Sequence, residues 1–352
     1  MDPYPASVVR ALLHRSALRA ERVDQLIFGN ARQAGAGPNV ARQIALRAGL
    51  PQGAPAFTVN MACASGLKSM LLAYDAIALG RASIVVAGGT ESMTNLPFLL
   101  PRLRSGYRLG DAPVVDAMYR DGFLDPLCGL LMGETAEKLA RERARNRGLF
   151  TDEIVPVEVP EGKGGETKSV TGDEHPRDGV TPEALSKLPA VFDPEHGTVT
   201  AGNSSGITDG AAALLVMSLD EAKRHGFPPL ARIGPWVEVG VDPSIMGIGP
   251  VPAVQTLCDR MGVLPDSFDL IELNEAFAAQ VLACDRELHL PRERLNVNGG
   301  AITLGHPIGC SGARIVVTLL HEMRRRDAWK GLATLCVSGG LGLAASFYRF
   351  ER

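Results

Sequence analysis

The chain has 352 residues, 45% apolar and 21% charged, enough for two or three domains with sizeable cores. A net charge of −3 offers no basic surface for nucleic acid or an anionic membrane, so neither is expected as a partner. The six cysteines stand singly at 63, 128, 258, 284, 310 and 336, without CxxC spacing, which argues against a zinc or other metal site, a thioredoxin-like pair and a secreted disulfide framework.

No apolar run approaches a membrane span and no secretory leader opens the sequence, so a soluble protein of a reducing compartment, the cytoplasm, is expected. The final residues, Tyr348-Arg349-Phe350-Glu351-Arg352, are not a peroxisomal address.

In chain order, Val8, Val9, Leu12, Leu13 and Leu18 predict a first helix over about Ser7 to Arg19. Val23 to Phe28 reads as a short buried strand ended by Gly29-Asn30. A second helix is expected around Asn39 to Ala48, and a strand over Ala56 to Asn60. A third helix opens at Ala64-Ser65-Gly66, with Leu67, Met70, Leu71, Tyr74 and Ile77 at helical spacing. Ser83 to Ala87 reads as a buried strand stopped by Gly88-Gly89. This alternation predicts a mostly parallel sheet covered on both faces.

From Pro97 to about Pro194 charges, prolines and glycines rise, as in Gly162-Lys163-Gly164-Gly165-Glu166. Such a stretch forms either a lid or a tolerated surface insertion. The last third returns to alternation: strand Leu270 to Leu273, helix Glu275 to Cys284, strand Leu295 to Val297, helix Ser311 to Arg324 and strand Leu332 to Val337, ended by Ser338-Gly339-Gly340.

The last third echoes the first. Val23-Asp24-Gln25-Leu26-Ile27 resembles Phe268-Asp269-Leu270-Ile271. Ala64-Ser65-Gly66 and Cys310-Ser311-Gly312 each open a helix, and Ile84–Gly89 matches Leu335–Gly340. Three matches in one order predict two similar α/β halves whose equivalent strand ends face each other. The halves are expected at 1–221, carrying the inserted stretch of about 97–195, and at 228–352.

Cys63 joins a strand to the start of a helix, where N–H groups and the helix dipole favour an anion. A lowered thiol pKa is therefore expected. The alternative is a small core residue. His306 lies in a glycine-dense loop before a helix, well placed to act as general base toward another loop's thiol, or to be a satisfied structural histidine. Cys336 ends a buried strand before a double glycine whose N–H groups can hold an oxyanion; seen alone, it too reads as core. Asn274 reads as a helix N-cap or as the holder of a water.

Together these motifs resemble the thiolase family. The matching runs are NMACASG around Cys63, AGGTESM (87–93), MGETAE (132–137), GTVTAGNSSGITDGAAA (197–213), MGIGP (246–250), NEAFAAQ (274–280), NGGAITLGHPIGCSGAR (298–314) and CVSGGLG (336–342), spread over nearly the whole chain. The resemblance implies two α/β halves in a layered α-β-α-β-α arrangement with an inserted loop domain. It implies acyl-CoA C-acyltransfer: thiolysis of a 3-ketoacyl-CoA, or the reverse condensation of acetyl-CoA units.

In that scheme Cys63 carries the acyl group and His306 takes the thiol proton and helps hold an oxyanion. Cys336 moves the α-proton of acetyl-CoA. Asn274 holds a water of one oxyanion hole, and the N–H groups of Cys63 and Ser338 form the other. Arg177 and Ser205 would contact coenzyme A, and Met132, Met246 and Phe277 would line the acyl and pantetheine tunnel. The partners are acyl-CoA and coenzyme A, as substrates and not cofactors. A homodimer or homotetramer is implied, the 97–121 stretch resembling the loop that pairs dimers.

The chain departs from the family pattern in three places. It starts at the helix after the family's first strand. Lys138–Arg147 runs directly into Gly148–Ile154, where the family has a longer two-helix stretch. Both are expected to be segments missing from the sequence, since loss of an interior strand would strand buried backbone groups. Leu131 and Ala184 replace polar coenzyme A contacts of short-chain members, and Ser338 replaces a usual glycine while keeping its N–H.

Two rivals stay open at this level. A decarboxylating or hydroxymethylglutaryl-type synthase shares the fold, but lacks a cysteine like Cys336. A truncated, non-catalytic paralogue would bind acyl-CoA without turnover.

Overall fold

The computed structural model describes residues 4–127, 150, 152–161, 166–177, 180–192, 195–197 and 199–350. Met132 and the 138–149 stretch, both singled out in the sequence, lie outside the described residues.

The first half opens with α1 (Tyr4–Arg15), β1 (Gln25–Gly29), α2 (Val40–Arg47), β2 (Ala56–Val59), α3 (Ser65–Ala78) and β3 (Ile84–Glu91). Two short antiparallel pairs follow, β4 (Phe98–Leu99) with β5 (Val115–Asp116) and β6 (Val157–Glu161) with β7 (Glu166–Val170). After them come α4 (Pro182–Leu185), β8 (Gly210–Met217) and α5 (Leu219–His225). The second half contains β9 (Arg232–Gly240), α6 (Pro250–Met261), β10 (Leu270–Leu273), α7 (Ala278–Leu288), α8 (Ala301–Leu304), α9 (Ile308–Arg326), β11 (Lys330–Val337) and β12 (Leu341–Tyr348).

Local chemistry sets the element ends. α1 stops at Arg15, short of the expected Arg19, because Ser16 Oγ donates back to the Leu12 carbonyl at 2.8 Å and Ala17 turns to a φ of 52°. α2 is capped by Asn39, whose side chain accepts from the Arg42 N–H, and it buries Val40, Ala41, Ile44 and Ala45 on one face.

One sheet has the order β2-β1-β3-β8 and the other β10-β11-β12-β9. In the first, β1 pairs in parallel with β2 and β3, and β8 runs antiparallel to β3. In the second only β10 and β11 are parallel, while β12 is antiparallel to both β11 and β9. The mostly parallel sheet expected from the first part of the chain is found there, with two parallel pairs and one antiparallel, and the second sheet reverses that balance. The Ser338-Gly339-Gly340 turn, with φ of 90° and 79° at its glycines, sends the chain straight back, so the next strand must be antiparallel. The predicted strand over Leu295 to Val297 is reduced to one parallel bridge between Leu295 and Ile271, on the side of β10 that β2 occupies on β1.

Alternation along the strands builds the layers. Leu26, Phe28, Ile84 and Val86 pack with Val9, Leu13 and Ile44 of α1 and α2. Ile27, Val85 and Ala87 turn to the other face and meet α3, α9 and, beyond them, Leu335, Val337 and Ala345 of the second sheet. Ile271, Leu273, Leu332 and Ala344 pack on α6 and α7. The result is the five-layered α-β-α-β-α arrangement of two similar halves, with α3 and α9 as its middle layer. Each fully buried Leu, Ile or Phe of these cores contributes about 1.5–3 kcal/mol.

Gly88 and Gly89 do not stop β3, which runs on to Glu91. They permit close approach. A Cβ on Gly88 would lie 2.2 Å from the Ala212 carbonyl oxygen, and one on Gly89 would lie 2.1 Å from that of Gly309. The helices of the middle layer cross the same way: a Cβ on Gly66 would stand 2.6 Å from Ala313 N, and one on Gly312 2.6 Å from Leu67 N. Their backbones touch, which brings the N-terminus of α3 beside that of α9. Among the described residues no helix is long and apolar enough to cross a membrane.

Candidate active site

Cys63 lies in a single 3-10 turn, Ala62–Ala64, between β2 and α3, and is 3% exposed. The turn is tight enough to hold Ala62 at a φ of 42°, a conformation L residues disfavour. Two side chains hold it there. Asn60 Oδ1 accepts from Ala62 N at 3.0 Å, and Ser65 Oγ accepts from Met61 N at 2.8 Å while donating to the Ala62 carbonyl at 2.7 Å.

His306 reaches Cys63 from the second half, with Nε2 at 3.3 Å from Sγ. Its Nδ1 lies 2.5 Å from Ser311 Oγ. The Ser311 hydroxyl has one proton, and it donates to the Pro307 carbonyl at 3.0 Å. Ser311 therefore accepts from Nδ1–H, which leaves the Nε2 lone pair facing the thiol. Burial, then the charges of Arg314 and Arg32, push the His306 pKa down to about 3, so the ring is neutral and ready to accept a proton.

That shift has a consequence for stability. The folded ring stays neutral down to about pH 3, while an unfolded histidine takes a proton below about 6.5. The term is complete above the unfolded value and is lost as pH falls toward the folded one, at up to about 1.4 kcal/mol per pH unit. Denaturant midpoints of the wild type and His306→Ala should therefore draw together between about pH 7 and about pH 4. A pH-independent gap would show that the ring is not buried in its neutral form.

The acidified thiol expected from the helix terminus is not what the structure gives. Burial pushes the Cys63 pKa up, and the Arg32 charge with the N–H groups of Ser338 and Cys63 pulls it back only in part. The physical reason is the loss of water around the sulfur, which outweighs the partial charges of one helix end. At rest the pair is a neutral thiol facing a neutral imidazole.

Cys336, 1% exposed at the end of β11, is held still further above the ordinary thiol range by burial, with Cys63 and Cys284 near enough to add to it. The Ser338 N–H in the following turn is near enough to the Cys63 sulfur to pull its pKa down in part. Asn274 is fully buried, and neither its Oδ1 nor its Nδ2 has a hydrogen-bond partner among the described residues. It is not the helix cap its local pattern suggests, because α7 starts at Ala278 and its cap position is Phe277. An amide buried without protein partners costs about 1–3 kcal/mol.

The thiolase N-terminal domain matches residues 5–147 and 141–220, and the thiolase C-terminal domain matches 227–349. The chain belongs to the thiolase family. It is 50% identical to the acetyl-CoA acetyltransferase of Pseudomonas aeruginosa and 49% identical to that of Escherichia coli, in each case over 98% of this chain and 92% of the relative. Among solved structures, the acetyl-CoA acetyltransferase of Bacillus anthracis superposes with a TM-score of 0.92 at 40% identity, covering 98% of this chain and 92% of that one. Human mitochondrial 3-ketoacyl-CoA thiolase in complex with CoA gives 0.90 at 40% identity, covering 98% and 91%.

Of the remaining sequence candidates, Ser205 stands next to Gly206, whose carbonyl accepts from the His306 N–H at 2.9 Å. Ser205 is half-buried, and both its N–H and its hydroxyl donate to the Ala276 carbonyl, at 3.1 and 2.8 Å, tying the AGNSSG and NEAF runs together. Arg177 is exposed. Met246 is buried, and Phe277 is half-buried with its backbone bridged to Ser204.

Sequence reasoning missed several supports of this thiolase site. Ser311, which sets the His306 tautomer, was visible only as a helix-opening serine. Asp125, 3% exposed, accepts from Gly339 N at 3.1 Å and so anchors the turn that carries Ser338. Glu275 accepts from Asn296 Nδ2 at 3.0 Å and Ile302 N at 3.2 Å, bracing the segment that leads to His306. The last two act across long sequence separations and leave no local pattern.

Proposed function

We propose that the chain makes or breaks the carbon–carbon bond of a 3-ketoacyl-CoA through an acyl-Cys63 intermediate. The activity class, acyl-CoA C-acyltransferase, follows from family membership and from likeness to acetyl-CoA acetyltransferases over nearly the full length. The residue roles are our reading. The observation that carries it is the Nε2 lone pair of a neutral His306 at 3.3 Å from a buried thiol.

In the cleavage direction His306 Nε2 takes the Cys63 proton as the sulfur attacks the C3 carbonyl. The N–H groups of Cys63 and Ser338 receive the oxyanion. The C2–C3 bond breaks and its electron pair passes to C2 as the enolate of acetyl-CoA. That enolate is held by the imidazolium N–H and by a water on Asn274. The Cys336 thiol gives its proton to C2 and acetyl-CoA departs. The Cys336 thiolate then takes the proton of an incoming coenzyme A thiol, whose sulfur attacks the acyl-Cys63 carbonyl. Cys63 leaves and recovers its proton from His306. Both thiols start protonated and the imidazole neutral, so this direction begins without prior proton transfer. Condensation is the same path reversed.

In this reading 1–221 supplies the nucleophile and 228–352 the base, the second thiol and the asparagine. Arg177 meets a phosphate, Ser205 lies along the pantetheine, and Met246 and Phe277 border the acyl group. Coenzyme A thioesters are substrates, and no resident cofactor takes part.

We also read the chain as a homodimer or homotetramer. Phe98, Leu103 and Leu109 are 68%, 59% and 100% exposed, an apolar display suited to a second copy. A reducing cytoplasm suits two thiols that must stay reduced.

The purified chain given acetoacetyl-CoA and coenzyme A should yield acetyl-CoA with no malonyl donor. Dependence on a malonyl donor would favour the synthase reading, and acyl-CoA binding without turnover the non-catalytic one.

A further inference from the structure

Glu91 ends β3 and is 1% exposed. Its two oxygens accept four N–H groups. Oε1 takes Asn30 Nδ2 at 2.8 Å and Arg32 N at 3.1 Å, and Oε2 takes Ala31 N at 3.1 Å and Gly309 N at 2.9 Å. Only an acceptor at both oxygens satisfies that set, so the geometry calls for a carboxylate. Burial raises its pKa, opposed by the N–H groups of Gly309, Arg32 and Ala31 and by the Arg32 charge.

The four donors belong to two segments that lead to the reacting pair. Gly309 lies in the first turn of α9, three residues beyond His306, and that helix has no side-chain cap of its own. Ala31 leads the other way: its carbonyl accepts from Asn60 Nδ2 at 3.1 Å, and Asn60 Oδ1 holds Ala62 N beside Cys63. Packing here leaves no slack. A Cβ on Gly309 would stand 2.7 Å from Asn30 Cα and 2.7 Å from the Thr90 carbonyl oxygen.

We infer that Glu91 is a positioning residue for the acyl-transfer step: by tying the first turn of α9 to the Asn30–Arg32 loop, it holds His306 Nε2 in line with the Cys63 sulfur. The inference rests on the roles proposed above for Cys63 and His306. E91Q turns one acceptor oxygen into a donor, so two of the four N–H groups face an N–H and the clamp opens.

Two measurements test it, thiolysis kinetics and the rate of Cys63 alkylation by iodoacetamide, on wild type, E91Q, H306A and E91Q/H306A. In E91Q we expect kcat to fall about 10- to 100-fold with KM within about twofold, the loss expected for a displaced base. Cys63 alkylation in E91Q should fall to the rate of H306A, and E91Q should change it less than about twofold when His306 is already absent. N30A removes one donor and keeps the carboxylate. It should show a smaller loss in the same direction, and it carries the test if E91Q does not fold.

The inference is overturned if E91Q keeps wild-type kcat, or if it loses alkylation equally in both backgrounds. Faster alkylation, which removal of a nearby negative charge alone would give, also overturns it. Wild-type kcat in H306A would instead overturn the roles of the pair.

Discussion

Cys63→Ala should form no covalent adduct with acetyl-CoA and should lose acyl transfer by at least about 10⁴-fold, as expected when a covalent nucleophile is deleted. Intact-mass measurement reads this directly: wild type gains the mass of one acetyl group, and the variant gains none. The effect belongs to one atom. Alanine keeps the backbone N–H that faces the developing oxyanion, and the Asn60 and Ser65 bonds that shape the turn involve the backbone of Met61 and Ala62. Substrate binding should therefore survive. An acetyl adduct on Cys63→Ala would place the covalent chemistry on another thiol.

Cys336→Ala should separate the two halves of the reaction. Acetyl loading onto Cys63 keeps His306 and the N–H groups in this variant, and the departing coenzyme A thiolate, a good leaving group, takes from solvent the proton that Cys336 otherwise gives it. Thiolysis and condensation need a proton moved at C2, and removal of a general acid or base costs about 10²–10⁴-fold. The variant should thus show the acetyl adduct at near wild-type extent while carbon–carbon exchange falls by that factor. Full condensation activity in Cys336→Ala would remove the residue from the mechanism. The burial that holds this thiol protonated fits it to donate first, and its proximity to Cys63 fits it to donate at the carbon leaving the acyl group.

Much of this was legible in the sequence, for physical reasons. Leu270 to Leu273 was legible as a strand because Phe268-Asp269-Leu270-Ile271 repeats the pattern of Val23–Ile27, which leads into β1. Cys63 and His306 were singled out because each stands in a short joint of small residues at a helix start, and the structure brings the two side chains to 3.3 Å. Gly88 and Gly89 were misjudged as a stop because glycine in a strand serves two purposes, and local sequence cannot tell a turn from the approach of Ala212 and Gly309.

Of the two local readings of Asn274, the cap fails because the helix start was placed three residues early, at Glu275 and not Ala278. Its meaning emerges only when its amide is seen buried without a protein partner. β8 and β12 were not read at all: small alternating residues such as those of Gly210–Met217 and Leu341–Tyr348 carry weak periodicity and gain definition only by pairing with β3 and β11. Asp125 was invisible because its partner lies 214 residues away.

The touching backbones at Gly66 and Gly312 govern more than geometry. Cys63 and His306 are 243 residues apart in the chain and arrive just ahead of different helices of the middle layer, α3 and α9. Contacts of such separation carry a large loop-closure cost and slow folding relative to local ones. They are also lost early, since a slight parting of the helices breaks a 3.3 Å contact and leaves Phe28 and Leu257 undisturbed in their own clusters. Reactivity therefore reports the seating of one layer on the other, and a half-assembled chain carries its thiol unarmed.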